Sequence, residues 1–179
     1  MIELNNFTYK TNRILFEGAN FIAPSIGIIG IAGESGCGKT TFLKIISKQI
    51  HLDSMVNTAT SIFYGNQDAL LKKDLTIAQQ FELIESIYNR EHDQNTIDEL
   101  FKNLNINANL SQKYDSCSLG EKKRIMIALS VYSNSPCIIL DEPLSSVDYE
   151  DKHSIMKLLK EYSLSLIHIS EPTRLRRIS

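Results

Sequence analysis

One short stretch, Gly33–Thr41 (GESGCGKTT), limits most strongly what this chain can fold into. It follows the apolar run Ile26–Ala32 and precedes TTFLKIISKQI, whose apolar residues recur at helical spacing. This order predicts a buried strand, a tight glycine-rich loop and a helix. Glycines let successive backbone N–H groups converge on one anion, and the positive end of the helix dipole strengthens that attraction. The stretch therefore predicts a loop that binds phosphate.

The loop fits the pattern G-x-x-x-x-G-K-[ST] at Gly33, Gly38, Lys39 and Thr40. In this pattern the lysine reaches the terminal phosphates of a nucleoside triphosphate, and the hydroxyl is a ligand of Mg²⁺. A glycine-rich turn with an exposed lysine is the alternative, which the strand before the loop and the helix after it disfavour. Cys37 fits a small filler better than a redox sensor. We expect nucleotide contacts from the whole loop: Gly33, Glu34, Ser35, Gly36, Cys37, Gly38, Lys39, Thr40 and Thr41.

A second feature of the same kind is the stretch CIILDEP, Cys137–Pro143. A strand that ends in Asp141 would bring a carboxylate next to the phosphate loop, where it can hold the coordination shell of Mg²⁺. Glu142 follows as a candidate general base that positions the attacking water. The alternative is that this acidic pair only ends a strand and caps the next helix. Together with Lys39 as a second catalytic residue, the pair predicts hydrolysis of a nucleoside triphosphate.

Composition and charge exclude several classes of protein. The chain has 179 residues, of which 42% are hydrophobic and 22% charged, and its net charge is −2. These values are typical of one globular domain and provide no basic surface for nucleic acid. The apolar run Ile26–Ala32 is too short to span a membrane, the N-terminus lacks an export signal, and three cysteines fit a reducing compartment. We expect a cytoplasmic protein that is at most peripheral to a membrane.

Hydrophobic periodicity predicts an α/β core that a helical insertion interrupts. Two N-terminal segments alternate apolar and polar residues as half-buried strands do, and SIFYGN predicts a further strand. No apolar strand is expected between that segment and Pro136. Besides the strand and helix around the loop, the predicted elements are strands at 2–9, 13–23, 61–66 and 137–141 and helices at 75–88, 96–104 and 149–162.

The stretch CSLGEKKRIMIAL, which begins at Cys117, resembles the signature sequence L-S-G-G-Q of the ATP-binding-cassette (ABC) family. Ser118 and Gly120 stand where the family has its serine and its second glycine. Cys117, Leu119 and Glu121 depart from the pattern. The leucine crowds the place of a glycine, and the glutamate adds negative charge near phosphates. The resemblance rests on the order of the motifs along the chain as well as on these residues.

Ser118-x-x-Glu121 also predicts an ordinary helix start. In such a capping box the serine hydroxyl accepts a hydrogen bond from a backbone N–H of the first turn, and the glutamate reaches back to the backbone N–H of the serine. The two interpretations are compatible, because a capped helix N-terminus is itself a site for anions.

Smaller resemblances follow in the same order. Tyr9 resembles the aromatic residue that stacks on adenine in this family, and a surface tyrosine of a strand is an equal alternative. Gln67 resembles the glutamine that reaches the metal and the water, and a polar loop residue is its alternative. Ser145–Asp148 (SSVD) resembles the loop through which two subunits communicate, and alone it is a helix N-cap.

The resemblance spans about residues 2–163 and implies a P-loop NTPase fold. An ABC-type nucleotide-binding domain has a mixed-sheet core, N-terminal antiparallel strands and a helical subdomain, here at about 75–117. In this family two ATP-binding subunits, identical or different, pair head to tail around ATP and Mg²⁺. Each nucleotide lies between the glycine loop of one subunit and the signature helix of the other. Two sets of site residues follow: Ser118, Gly120 and Glu121 on the ATP of the partner, and Thr40, Gln67 and Asp141 on the metal.

The implied function is that of the ATP-hydrolysing subunit of a transporter. Its membrane-spanning partner would be a separate chain, and the subunit would lie at the cytoplasmic face of the membrane. A soluble ABC ATPase that acts on nucleic acid or ribosomes is the competing class. It predicts a long coiled-coil insertion, a second cassette or a basic arm, and none is evident in the sequence. A metabolic kinase with a phosphate loop would leave the signature without a role.

The C-terminal segment, residues 164–179, differs from the rest of the chain. LSLIHISEPTR, Leu164–Arg174, resembles the translation of a sequencing adapter. We therefore expect an ABC domain at 1–163, incomplete at its C-terminus, followed by a non-native tail. His168 is similar to the histidine that contacts the terminal phosphate in this family, but it follows Glu142 too closely to leave room for a helix, a turn and a buried strand. A native but divergent tail is the alternative.

Overall fold

The computed structural model describes residues 2–24, 26–52, 55–57, 61–66, 72–145, 147–162 and 166–172. Its strands are β1 (Ile2–Lys10), β2 (Ile14–Ala23), β3 (Gly27–Gly33), β4 (Met55–Asn57), β5 (Phe63–Gly65), β6 (Cys137–Asp141) and β7 (Leu166–Pro172). Its helices are α1 (Lys39–Ile46), α2 (Ile77–Tyr88), α3 (Gln94–Asn103), α4 (Leu119–Tyr132) and α5 (Tyr149–Glu161), and a short 3-10 helix spans Tyr114–Ser116.

The strands form two sheets. β2, β1 and β4 lie side by side in an antiparallel sheet, in which Tyr9 pairs with Phe16. β3, β7, β6 and β5 lie in that order in a parallel sheet, in which Ile28 pairs with Ile167. The predicted α/β class is confirmed. The core is mixed because one of its two sheets is antiparallel and the other is parallel. Because parallel strands all end at one edge, the segments that follow β3 and β6 emerge on the same side of the sheet.

The inner strand β6 is covered on both faces. Successive side chains of a strand point to opposite faces, and in β6 Ile138 and Leu140 join one cluster of buried residues. Cys137 and Ile139 of the same strand join a second cluster, which includes α1 and the antiparallel sheet. Burial on both faces fixes the strand, and with it the position of Asp141 at its C-terminal end.

The helical insertion predicted from the sequence is present and packs on α4. Phe81 of α2 meets Tyr132 of α4 edge to face, with ring centroids 5.0 Å apart. α2 begins with a capping box, in which Thr76 and Gln79 exchange hydrogen bonds. Since α4 leads directly to β6, this helix connects the insertion to the strand that carries the acidic pair.

The expected burial of the strand before the loop is wrong. The side chains of β3 are half-buried or exposed, and Ile26 just before it is 63% exposed. The reason is that β3 lies at an edge of the parallel sheet, whereas β6 lies inside it.

The expectation that α5 leaves no room for a further strand is also wrong. β7 begins at Leu166 and lies between β3 and β6, and the connection 163–165 lies outside the described residues. The backbone of His168 pairs with Ile29 on one side and with Ile139 on the other. The origin of residues 164–179 stays a prediction.

Candidate nucleotide-binding site

The glycine-rich loop joins the end of β3 to the start of α1. Gly36 and Gly38 have φ angles of 76° and 107°, in the left-handed region that favours glycine. A Cβ at Gly33 would lie 2.7 Å from the Sγ of Cys37, so a larger residue fits there only if the Cys37 side chain moves. Gly38 is the N-cap of α1, and the first turn of that helix contains no acidic side chain. The loop therefore presents backbone N–H groups and the positive end of a helix to an anion.

Lys39 is folded back onto the loop. Its Nζ donates hydrogen bonds to the carbonyl oxygens of Gly33 at 2.9 Å and Glu34 at 3.0 Å. The residue is only 8% exposed. Both acceptors are neutral, and an ammonium binds a charged phosphate oxygen more strongly than a neutral carbonyl. The side chain is therefore placed to exchange these carbonyls for a phosphate bound by the same loop.

Thr40 and Asp141 meet at the carboxyl edge of the parallel sheet. The Oγ1 of Thr40 donates a hydrogen bond of 2.7 Å to the Oδ2 of Asp141. Burial, together with the negative charge of Asp141, raises the pKa of Tyr64 to about 12. A hydroxyl beside a carboxylate suits Mg²⁺, which takes one or two protein oxygens and completes its shell with phosphate oxygens and water.

Glu142, next along the chain, has a left-handed backbone. Its φ of 50° is uncommon for a residue with a Cβ and costs about 1 kcal/mol or more. Its carbonyl oxygen accepts hydrogen bonds from the backbone N–H of Ser145 at 3.2 Å and from the hydroxyl of Ser145 at 3.0 Å. It also accepts a hydrogen bond of 2.7 Å from the Nζ of Lys123. The acidic pair therefore continues into a tightly bonded turn.

Lys123, which no sequence motif indicated, contacts the turn that carries Glu142. It is 1% exposed in α4, and its side chain reaches the turn after β6. Helical spacing offered a signal, since Lys123, Ile127 and Ser130 share one face of the helix. Ile127 and Ser130 are fully buried, so a lysine on that face indicates a buried ammonium that needs polar partners.

The antiparallel sheet borders the loop. A Cβ at Gly38 would lie 3.2 Å from the Cζ of Phe16 in β2. Arg13, in the turn between β1 and β2, donates a hydrogen bond to the carbonyl oxygen of Gly36. Tyr9 is half-buried and pairs with Phe16. Tyr9, which is predicted to stack on adenine, therefore lies in β1, next to the strand β2 that contacts the loop.

The start of α4 has the predicted capping box. The Oγ of Ser118 accepts a hydrogen bond from the backbone N–H of Glu121 at 3.2 Å, and the Oε2 of Glu121 accepts one from the backbone N–H of Ser118 at 3.0 Å. The hydroxyl of Ser118 also donates a hydrogen bond of 2.9 Å to this Oε2, and the bonds from the Ser118 backbone N–H and from its hydroxyl, in that order, lower the pKa of the Glu121 carboxyl. Leu119 is 49% exposed. Within the part of the chain that the structure describes, no hydrogen bond or ion pair joins Ser118, Gly120 or Glu121 to the glycine loop.

Gln67 lies outside the described residues, as does Ser146 of the SSVD stretch. β5 ends at Gly65, and it pairs in parallel with β6. The chain that leads toward Gln67 therefore leaves the sheet at the edge where Asp141 lies. Of the helices that the structure describes, none has the length and apolar character needed to cross a membrane.

Comparison with known proteins identifies the family of the chain. Residues 16–145 match the ABC transporter family. The cytochrome c biogenesis ATP-binding export protein CcmA of Reclinomonas americana is 31% identical over 163 residues, covering 82% of this chain and 72% of that protein. An ABC transporter ATP-binding protein from Pyrococcus furiosus has the same fold, with a TM-score of 0.80 at 20% identity over 97% of this chain and 92% of that chain. The dimeric structure of a bacterial ABC transporter cassette has a TM-score of 0.73 at 23% identity, over 95% and 88% of the two chains.

The matched residues include the glycine-rich loop, the signature stretch at Ser118 and the acidic pair at Asp141 and Glu142. Of these segments, the glycine-rich loop and the acidic pair meet at the carboxyl edge of the parallel sheet. The chain belongs to the ABC transporter family and is an ATPase.

Proposed function

We propose that this chain is the ATP-binding and ATP-hydrolysing subunit that powers a membrane transporter. The observation that carries the proposal is the contact of 2.7 Å between the Oγ1 of Thr40 and the Oδ2 of Asp141. It brings a metal-binding pair next to a phosphate loop, which nucleotide hydrolysis requires. The similarity to an ATP-binding export protein from Reclinomonas americana supports the transport role.

The glycine-rich loop binds the phosphates of ATP. Backbone N–H groups of Gly33–Thr41 surround the phosphate oxygens, and Lys39 exchanges its carbonyl acceptors for the terminal phosphate. Tyr9 stacks on adenine from the antiparallel sheet. Thr40, Asp141 and Gln67 hold Mg²⁺, which neutralises charge on the phosphates when bound.

Glu142 is the general base. Its carboxylate orients a water molecule in line with the terminal phosphate and accepts a proton from that water as its oxygen attacks phosphorus. The bond from phosphorus to the bridging oxygen breaks, so ADP and inorganic phosphate leave. The left-handed backbone of Glu142 supports this role, because strained residues cluster at reacting centres. Lys39 stabilises the negative charge on the transferred phosphate.

Two such subunits, identical or different, pair head to tail. Ser118, Gly120 and Glu121 at the start of α4 then face the ATP of the partner. The capped start of this helix supports the proposal, because a helix N-terminus attracts phosphate. A dimeric cassette of the same fold also supports it. ATP joins the two subunits, and hydrolysis releases them.

The membrane-spanning part of the transporter is a separate chain, and this subunit is peripheral at the cytoplasmic face. The ATP-binding domain covers about residues 1–163, and its helical subdomain at about 75–117 passes the motion to the membrane partner through Gln67. The competing soluble class predicts a long coiled-coil insertion, a second cassette or a basic arm. The longest helix in the described part of the chain, α4, has 14 residues.

Affinity purification from the native host tests the transport role. The tagged chain is extracted from membranes in mild detergent, and the proteins bound to it are identified by mass spectrometry. We expect a partner with several apolar spans of about 20 residues each. The Lys39→Ala variant is the control, since loss of ATP binding should leave a resting membrane complex in place. Recovery of ribosomal proteins in place of a membrane protein would favour the soluble class.

A further inference from the structure

Lys123 is a buried lysine to which the proposed mechanism gives no role. It is 1% exposed, and lysines are rarely buried to this extent unless their donors are paired. Its Nζ donates hydrogen bonds to the carbonyl oxygen of Glu142, at 2.7 Å, and to the Oγ of Ser145. Both acceptors belong to the turn that carries the proposed general base.

The hydrogen bonds of this turn converge on the carbonyl oxygen of Glu142. It accepts hydrogen bonds from the backbone and the hydroxyl of Ser145 as well as from Lys123. A φ of 50° at a residue with a Cβ persists only where the surroundings hold it. Carbonyl and side chain leave the same constrained backbone unit, so the hydrogen bond from Lys123 helps to set the direction of the Glu142 carboxylate.

Arg124, the next residue of α4, contacts the far end of the segment that begins at Glu142. The Nη1 of Arg124 lies 3.0 Å from the Oδ2 of Asp151 in α5, and the two side chains are 15% and 24% exposed. Lys123 and Arg124 therefore connect α4 to both ends of the stretch 142–151. Packed helices shift as rigid units, so a displacement at the start of α4 reaches both contacts.

We propose that Lys123 is a positioning residue for ATP hydrolysis, and that it links the start of α4 to the general base of its own subunit. The inference rests on the proposed function, in which the start of α4 contacts the ATP of the partner. ATP bound in one site then fixes the position of α4. Through Lys123, α4 in turn aligns Glu142 in the other site. Each chain thereby couples the two sites of the dimer.

A purely structural role of Lys123 has different consequences. If the lysine only stabilises the fold, its replacement lowers thermal stability and changes ATP affinity and turnover together. If it positions Glu142, its replacement lowers turnover and leaves ATP affinity unchanged, because the loop Gly33–Thr41 holds the nucleotide independently.

Two substitutions in the protein expressed from the complete reading frame of its source locus separate these roles. Lys123→Met keeps the apolar stem and removes the donor, whereas Lys123→Gln keeps an N–H donor. We expect Lys123→Met to lower kcat about 10- to 100-fold with KM for ATP within about 2-fold of its original value. Lys123→Gln should recover part of the loss. Lys102→Met, at an exposed lysine of α3, is the matched control and should keep the original kcat.

The combination with Glu142→Gln shows whether the two residues act together. If Lys123 acts through Glu142, Lys123→Met lowers hydrolysis no further once glutamine replaces the base. An additive loss in the double variant overturns the inference, as does an unchanged kcat in Lys123→Met.

Binding and folding measurements complete the test. A parallel loss of ATP affinity in both Lys123 variants, or failure of both to fold, shows a structural role and also overturns the inference. If only Lys123→Met fails to fold, the kcat and the ATP affinity of Lys123→Gln are compared with those of the original protein. If Glu142→Gln alone leaves hydrolysis intact, the proposed function fails instead.

Discussion

The hydroxyl of Thr40 donates a hydrogen bond of 2.7 Å to the carboxylate of Asp141, across 101 positions of the sequence. Thr40 lies in the first turn of the helix that follows β3, and Asp141 is the last residue of β6. Both strands belong to one parallel sheet, so the contact is a property of the fold. A cation bound at the phosphates therefore finds both oxygens already in place.

Asp141→Asn should weaken binding of MgATP selectively. The amide keeps the size of the side chain and an acceptor for Thr40, but it removes the charge that holds the cation. We expect the affinity for MgATP to fall about 10- to 100-fold, whereas binding of ATP in EDTA changes little. Calorimetric titrations under the two conditions measure this difference. Asp115→Asn, at a carboxylate that is 62% exposed, is the matched control. Equal weakening with and without Mg²⁺ would contradict a metal role.

Much of the site could be predicted because each of its parts is a short contiguous stretch of sequence. The loop pattern and the acidic pair are short motifs, and the order of the elements brings them to one edge of a parallel sheet. Lys123 is different. Its acceptor at Glu142 lies 19 positions further along the chain and is a backbone carbonyl, which leaves no trace in a motif.

The fold was predictable where periodicity decides the structure and unpredictable where strand order does. The helices and the N-terminal strands follow from local patterns, and the structure contains them. The weak burial of β3 depends on its place at the sheet edge, which no local pattern contains. β4, Met55–Asn57, is a short strand that pairs with the start of β1, so its existence depends on a partner distant in sequence.

Glu142→Gln should trap a dimer that contains ATP. The amide cannot accept the proton of the attacking water, whereas the loop and Asp141 still bind MgATP. We expect a monomer without nucleotide and a dimer with MgATP, measured by size-exclusion chromatography with light scattering. The double variant with Lys39→Ala should remain monomeric. A Glu142→Gln protein that binds ATP but stays monomeric would rule out the head-to-tail mechanism.

Ser118→Arg should abolish hydrolysis and leave ATP affinity nearly unchanged. The residue acts on the nucleotide of the partner, so binding to the subunit's own loop does not depend on it. Ser118→Ala removes the cap alone and costs about 1 kcal/mol of stability, which thermal unfolding measures. If the arginine variant loses affinity and turnover in the same proportion, Ser118 is a structural cap only.

Gly38→Ala should disrupt the phosphate loop. The φ of 107° disfavours any side chain, and a Cβ would lie 3.2 Å from the Cζ of Phe16. We expect the free energy of unfolding to fall by about 1–3 kcal/mol, and the melting temperature to fall by about 2–4 °C per kcal/mol. ATP should not stabilise this variant. Gly30→Ala is the control, because a Cβ there meets nothing within 4 Å. Thermal unfolding with and without ATP compares them, and retained stabilisation in Gly38→Ala would contradict the role of this turn.

The composition of β7 fits poorly with its place in the sheet. This strand, Leu166–Pro172, lies between β3 and β6, and such central parallel strands are normally apolar throughout. Its last residues are instead serine, glutamate and proline, and a proline has no N–H for the ladder. This mismatch supports the expectation that residues 164–179 are not native.

The register of β7 also separates His168 from the phosphate loop. The backbone of His168 pairs with Ile29, and that of Pro172 pairs with Gly33, where the loop begins. The rise along a strand is about 3.3 Å per residue, so the histidine lies about 13 Å before the level of the loop. A residue in the middle of a strand is poorly placed to contact a phosphate at its carboxyl end.

We predict that the source locus encodes different residues from about position 164 onward, and that the 179-residue chain hydrolyses ATP poorly despite its complete phosphate loop. We expect a non-native strand at β7 to pack less well beside β6, which carries Asp141 at its C-terminal end. Resequencing of the locus and the kcat of the two proteins measure this directly. In the 179-residue chain, His168→Ala should leave the residual kcat unchanged. A reading frame that ends at Ser179 with these codons, or a stable ATPase that His168→Ala inactivates, would show that the tail is native and that His168 contacts the phosphate.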